Sequence, residues 1–236
     1  MLYPTLFTWV YFVALQEHST VLQQLAYALG KGLQFGFPVV WVYRFARRPW
    51  PPLWADPSFT ATSGVFSPRG GVIAGVSFGL VVAIAIVGLY HLLPADAVWF
   101  VQARRAIQGK VTDLGISSAG KFLALGLFYS LVHSAAEEYY WRWFVFRGLT
   151  AIVTRPQALV LSSLGFMAHH VILLGTFTGY AHPATWLGSA AVAVGGFCWA
   201  WLYDRSGRLF GPWLSHLLVD AALFYVGYLI ARDTFR

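Results

Sequence analysis

Residues 71–94 contain no Asp, Glu, Lys or Arg, and neither do residues 184–203. A helix rising ~1.5 Å per residue needs about 20 residues to cross a hydrocarbon core roughly 30 Å thick. Each run is therefore long enough to span a bilayer. Membrane barrel strands instead alternate apolar and polar positions over about ten residues, and no such alternation is present. Composition agrees with helices in lipid. Of the 236 residues, 58% are apolar and 11% charged, against roughly 45–50% and 25% in soluble domains. That balance excludes an ordinary soluble domain, and disorder requires the opposite one. The expected fold is all-α: a polytopic transmembrane helical bundle of about seven spans, between about six and eight, plus a short interfacial helix, in one domain over residues 1–236.

The spans can be placed along the chain. The first apolar stretch covers residues 2–16. It has no basic residue before it, since Lys31 is the first, so it reads as a retained first span rather than a cleaved leader. A second candidate runs over roughly 21–43 with Lys31 in its middle, followed by a Pro-, Ser- and Gly-containing loop up to Gly70. The third is 71–94, where Gly71, Gly75 and Gly79 repeat every fourth residue and predict a close packing face. Residues 97–110 mix Trp99, Phe100 and Ile107 with Arg104, Arg105 and Lys110, the pattern of a helix lying on the membrane surface. Further spans are expected from Ser118 to Leu149, from Pro156 to Leu174, over 184–203, and from Leu209 to Ala231. Asp204-Arg205-Ser206-Gly207-Arg208 reads as a tight charged turn.

The net charge of +7 belongs to loops and lipid headgroups in such a chain, and nucleic acid is not an expected partner. The single cysteine, Cys198, excludes an intrachain disulfide.

Polar groups inside the spans carry the functional signal, because a charge at the bilayer centre costs at least a few kcal/mol and is retained where it has a task. Three spans hold them: His133-Ser-Ala-Ala-Glu137-Glu138-Tyr-Tyr-Trp-Arg142, Phe166-Met-Ala-His169-His170 and His216-Leu-Leu-Val-Asp220. Glu138 and Arg142 are four apart and can pair along one helix face. Glu137 is rotated about 100° from Glu138 and lies four residues after His133. His216 and Asp220 are also four apart.

Glu137-Glu138-x-x-x-Arg142, Phe166-x-x-x-His170 and His216-x-x-x-Asp220 resemble, in order, the three motifs of the CAAX protease and bacteriocin-processing family, which includes the type II CAAX prenyl endopeptidases. The run from Leu202 to His216 resembles it as well, so the likeness covers about 118–225. Asp220 stands where many members have Asn, and Trp143 where Gly is common. The resemblance implies an intramembrane endopeptidase of the glutamic type, hydrolysing a peptide bond near the C-terminus or membrane anchor of a protein substrate. It implies that Glu137 and His170 activate water, that His216 and Asp220 stabilise the oxyanion, and that Glu138 and Arg142 shape the site. His169, the neighbour of the motif histidine, is left outside the catalytic set.

No cofactor is expected. Zinc is the disfavoured alternative, because Glu, His and His are ligand types but His-Glu-x-x-His is absent. Expected partners are the bilayer and a membrane protein or a lipidated or tail-anchored peptide. The expected location is a prokaryotic inner membrane, crossed many times. The competing readings are a proton-coupled transporter using the same polar residues as a relay and a catalytically silent immunity or scaffold protein. A serine protease is disfavoured even though Gly75-Val-Ser77-Phe-Gly79 has the Gly-x-Ser-x-Gly form, because that motif acts only on a strand-to-helix turn.

Overall fold

The structure, a computed structural model, describes residues 1–46 and 66–235. Among them are eight helical segments and no strand. The loop expected between the second and third spans falls largely outside the described residues.

Local signals account for where the helices begin and end. Helix α1 is Tyr3–Trp9, prolonged by a π stretch Val10–Ala14. Helix α2 is Thr20–Trp41, prolonged by Val42–Ala46. Helix α3, Pro68–Leu92, starts with Ser67 accepting the Gly70 N–H at 3.1 Å and with proline in its first turn, where the missing N–H is harmless. Helix α4 is Val98–Asp113.

Helix α5 runs from Ala119 to Leu149 and changes pitch along its length. It is α over Ala119–Leu127, π over Phe128–His133, α over Ser134–Glu138, π over Tyr139–Phe146 and α again over Arg147–Leu149. Helix α6, Arg155–Thr178, stops at Gly179 with φ 88°. Helix α7, Pro183–Ser206, stops at Gly207 with φ 63°, a left-handed residue whose N–H closes on the Tyr203 carbonyl at 2.8 Å. Glycine takes that conformation without a Cβ penalty. Helix α8 is Phe210–Ala231.

The expected all-α membrane bundle is what the chain forms. Four helices are both long and apolar enough to cross: Arg69–Leu92, Arg155–Thr178, Pro183–Ser206 and Phe210–Thr234. Helix α2 has the length but carries Lys31 and three glutamines, and α5 has the length but is broken by its π stretches. The expected first span is corrected. Seven α-helical residues and a five-residue π stretch in α1 extend only about 18 Å at helical rise, too short to cross a core roughly 30 Å thick. The charged turn is also smaller than expected, because α7 continues through Ser206. Asp204 within it is buried and receives Arg155 Nη1 at 2.6 Å, tying α7 to the start of α6.

Two contacts position the site. Helices α3 and α8 touch through backbone. A Cβ built on Gly75 would lie 2.2 Å from the Gly211 carbonyl oxygen, and one on Gly79 2.9 Å from Ser215 Cα. The Gly-x-x-x-Gly repeat is thus the packing face it was expected to be. Ser77 points away, exposed in an unbroken helix, which disposes of it as a nucleophile. On the other side, α5 threads the middle of the bundle. Trp141 and Phe146 are fully buried, Tyr140 and Trp143 nearly so, against Phe166 and Leu159 of α6 and Trp199, Ala200 and Tyr203 of α7.

Helix α4 forms as expected and caps one end of the bundle. Gln108 donates to the Ile230 carbonyl at 2.8 Å, and Trp99 stacks on His182 at 5.1 Å. Outward faces are apolar, with Leu22, Leu25, Leu29, Leu33 and Phe37 of α2 and Ile73, Leu80, Ile84 and Leu89 of α3 exposed. A stripe of that size is at home against lipid.

Candidate active site

The three polar motifs meet inside the bundle. The short α-helical stretch Ser134–Glu138, held between two wider π stretches, presents both glutamates inward at 4% and 0% exposure. Glu138 Oε2 faces Arg142 Nε at 3.0 Å along α5, as the four-residue spacing predicts. Its other oxygen, Oε1, lies 2.9 Å from His216 Nδ1 on α8. A carboxylate oxygen can only accept here, so His216 Nδ1 carries a proton and donates it to Glu138. That fixes the ring and directs Nε2 towards Glu137 Oε2, at 3.9 Å, and Asp220 Oδ1, at 3.6 Å.

The residues around this chain are equally committed. Trp199 stacks on His216 at 4.1 Å and 15°, and its indole N–H donates to Ser215 Oγ at 2.9 Å, which locks the stacking ring. Phe166 meets His216 edge-on. The Arg142 guanidinium, with no solvent exposure, lies over the Phe166 and Trp199 rings at 5.0 and 5.5 Å. An isolated charge in that setting would cost several kcal/mol, so the carboxylate and the aromatic faces together are what permit it.

Glu137 has imidazoles on three sides. His133 Nε2 is 3.2 Å from its Oε1, His169 Nε2 is 3.8 Å away, and His216 Nε2 approaches the other oxygen. The motif histidine, His170, stands one step behind. Its ring centroid lies 4.2 Å from that of His169, and its Nδ1 lies 2.9 Å from the Phe166 carbonyl. Since a carbonyl only accepts, Nδ1 is the protonated nitrogen and Nε2 keeps a free lone pair.

The structure thus links Glu137, Glu138 and Asp220 through His216, joins Arg142 to them through Glu138, and sets His170 alongside. It adds His169 and His133, and it adds Trp199 as the clamp on His216. The sequence held a signal for His133, its four-residue spacing to Glu137. For His169 the signal was ambiguous, and for Trp199 there was none.

Among the described residues, no group of three or more His, Cys, Asp or Glu side chains is disposed to hold a metal ion. Chemically, the cluster offers a carboxylate that can take a proton from water, a neutral imidazole with a free lone pair, and a second imidazole oriented by a buried ion pair. Those are the parts that acyl transfer to water requires.

Comparison with known proteins gives the same direction. Residues 119–222 match the family model described as "Type II CAAX prenyl endopeptidase Rce1-like", bearing out the resemblance read from the motifs. No curated protein and no solved structure matches the chain.

Proposed function

We propose, from the match to the type II CAAX prenyl endopeptidases, that this integral membrane protein is a glutamic-type endopeptidase that hydrolyses a peptide bond within the bilayer. The observation that carries the reading is Glu137, buried beside the imidazoles of His133, His169 and His216 on three helices. In the proposed reaction, Glu137 with His170 takes a proton from a water molecule, and the water oxygen bonds to the scissile carbonyl carbon. The carbonyl oxygen becomes an oxyanion, which His216 stabilises through an N–H at Nε2. That requires both ring nitrogens of His216 to carry protons, with Nδ1 donating to Glu138 and Nε2 facing the reacting carbonyl beside Glu137. The proton then passes to the amide nitrogen, the C–N bond breaks, and an amine and a carboxylate leave. Oxyanion stabilisation of this kind supplies about 3–4 kcal/mol per donor.

Asp220 touches the Nε2 end of His216, so it works best on the oxyanion side as a protonated carboxyl or through His216. Glu138 and Arg142 hold His216 in place. The substrate is a membrane protein or a lipidated or tail-anchored peptide, and the setting is a prokaryotic cell membrane crossed several times. No metal enters this scheme.

The test is cleavage of a lipidated C-terminal peptide by the purified protein in proteoliposomes. Glu137→Ala, His170→Ala and His216→Ala should each reduce cleavage to background while circular dichroism remains helical, and a chelator should leave the wild-type rate unchanged. Retained cleavage by Glu137→Ala would refute the base. Inactivation by chelator, reversed by zinc, would replace the metal-free scheme. Solute or proton flux without any cleavage would favour a transporter.

A further inference from the structure

Charge is shared unevenly between the two ends of the bundle. The ends of α2, α5 and α7 and the starts of α6 and α8 come together through Val42, Phe146, Ala158, Tyr203 and Leu209. That end carries Arg44, Arg69, Arg147, Arg155, Arg205 and Arg208, and among the described residues its carboxylate is Asp204, already held by Arg155 at 2.6 Å. The opposite end, capped by α4, mixes its bases with Glu17, Asp96, Asp113 and Asp233. An arginine excess of this kind faces the cytoplasm, where the leaflet is rich in anionic lipid.

A cavity of about 380 Å³ opens at the arginine-rich end, between the first turns of α3 and α8, and its size is that of a ligand pocket. Arg69 of α3 and Arg208 of the α7–α8 turn line it, with Val72, Ile73 and Phe210 as apolar wall. Ser206 lines it too, but its hydroxyl is committed. It donates to the Leu202 carbonyl at 2.7 Å and receives the Arg208 backbone N–H at 3.2 Å. The two guanidiniums are the groups left to meet a ligand, and among the described residues neither is paired with a carboxylate. Both only donate, and like charges around one cavity repel. Helix α8 begins beside them with no side-chain cap, so its positive end adds to the field. A carboxylate has one edge and suits one guanidinium fork. A phosphate turns oxygens in several directions and can face two.

We propose that Arg69 and Arg208 hold the phosphate of an anionic phospholipid whose acyl chains lie along α3. Ile73 is both a wall of the cavity and, at 66% exposure, the first residue of an outward stripe. Leu80 and Ile84 follow it seven and eleven residues on, on the same helix face and also exposed. A free phosphate has no use for such a stripe, whereas an acyl chain covers it. The bridged phosphate ties the start of α3 to the α7–α8 turn, next to the close approach of Gly71 and Gly75 to Gly211 that seats α8. The lipid is thus a clamp on the helix that carries His216, and it stands whether or not the chain is a peptidase.

The experiment adds dioleoyl phosphatidylglycerol, dioleoyl phosphatidylcholine or inorganic phosphate to the full-length protein in neutral detergent micelles. Binding is read by native mass spectrometry and the clamp by the melting temperature. Phosphatidylglycerol should bind at least about tenfold tighter than phosphatidylcholine, whose choline cation would face two arginines, and should raise the melting temperature. Inorganic phosphate at the same concentration should do neither. Arg69→Gln/Arg208→Gln should cut the lipid preference to about twofold or less, while Arg105→Gln/Arg232→Gln at the opposite end should leave it intact. A preference that survives in the first double variant would overturn the site. So would an equal loss in the second, since diffuse surface charge would then explain the binding. Inorganic phosphate as effective as phosphatidylglycerol would overturn the lipid as occupant. If Arg69→Gln/Arg208→Gln does not fold, Arg69→Gln alone, on an exposed side chain, decides the matter: a reduced preference upholds the site and an undiminished one overturns it.

Discussion

Glu138 reaches across from α5 to hold His216 of α8 at 2.9 Å, and both side chains are almost wholly removed from solvent. The same carboxylate faces Arg142 at 3.0 Å. One acid therefore neutralises a buried cation and aligns the imidazole that would meet the oxyanion. Removing one member of a buried pair costs about 3–5 kcal/mol, whereas replacing both by apolar groups of similar volume is often neutral. Glu138→Met should lower the melting temperature in detergent sharply, and Glu138→Met/Arg142→Met should recover much of it. Turnover should stay low in the double variant, because His216 has lost its orienting acceptor. A double variant as unstable as the sum of the singles would show that the pair is not energetically coupled.

The adjacent histidines should separate cleanly. His170 has a free Nε2 lone pair, and general-base assistance contributes about 10²–10⁴ in rate, so His170→Ala should lose at least about a hundredfold in kcat. His169 stacks flat on Trp141 and touches Glu137 from the side. His169→Asn should lose about tenfold or less. A reversed order in single-turnover kinetics would transfer the motif role to His169.

Asp220 stands 3.6 Å from His216 Nε2. An amide at that position can donate to an oxyanion, whereas a carboxylate would repel one. Asp220→Asn should cleave at least as fast as the wild type, and Asp220→Leu should lose roughly tenfold or more. A dead Asp220→Asn variant would mean that the carboxylate itself is needed on His216.

Helix α3 carries no catalytic group, but Gly75→Ala should still impair the enzyme. Its Cβ would fall 2.2 Å from the Gly211 carbonyl oxygen, far inside van der Waals contact, so α3 and α8 must part. Overpacking of this kind costs about 1–3 kcal/mol, and His216 moves with α8. Ser77→Ala, on the outward face, should change neither the melting temperature nor the cleavage rate.

The sequence made the helices legible because a charge-free apolar run acts locally. The boundaries of α3, α6, α7 and α8 fall within a few residues of where the pattern put them. Pairs four apart, Glu138–Arg142 and His133–Glu137, were legible for the same reason. What escaped depends on contacts between helices. The hold of Glu138 on His216 joins residues 78 apart, and no spacing rule reaches that far. Which of His169 and His170 touches Glu137 turns on about 100° of rotation, and a helical wheel cannot fix that once the facing helix changes pitch. The first apolar stretch was read as a span by hydropathy, but the length of α1 decides otherwise.

The π stretches of α5 have a consequence for how this protein can change. A π turn corresponds to one extra residue spliced into an α-helix, and Ser134–Glu138 lies between two of them. Deleting one residue from Phe128–His133 would therefore let that turn relax to ordinary pitch while Glu137 and Glu138 keep their direction, whereas deleting one from the regular α stretch Ala119–Leu127 would swing both acids by about 100° relative to everything upstream. The wide turns are where α5 can shed a residue, and its α stretches are where it cannot. They work as slack in a taut line does, taking up a change of length before it reaches the two acids.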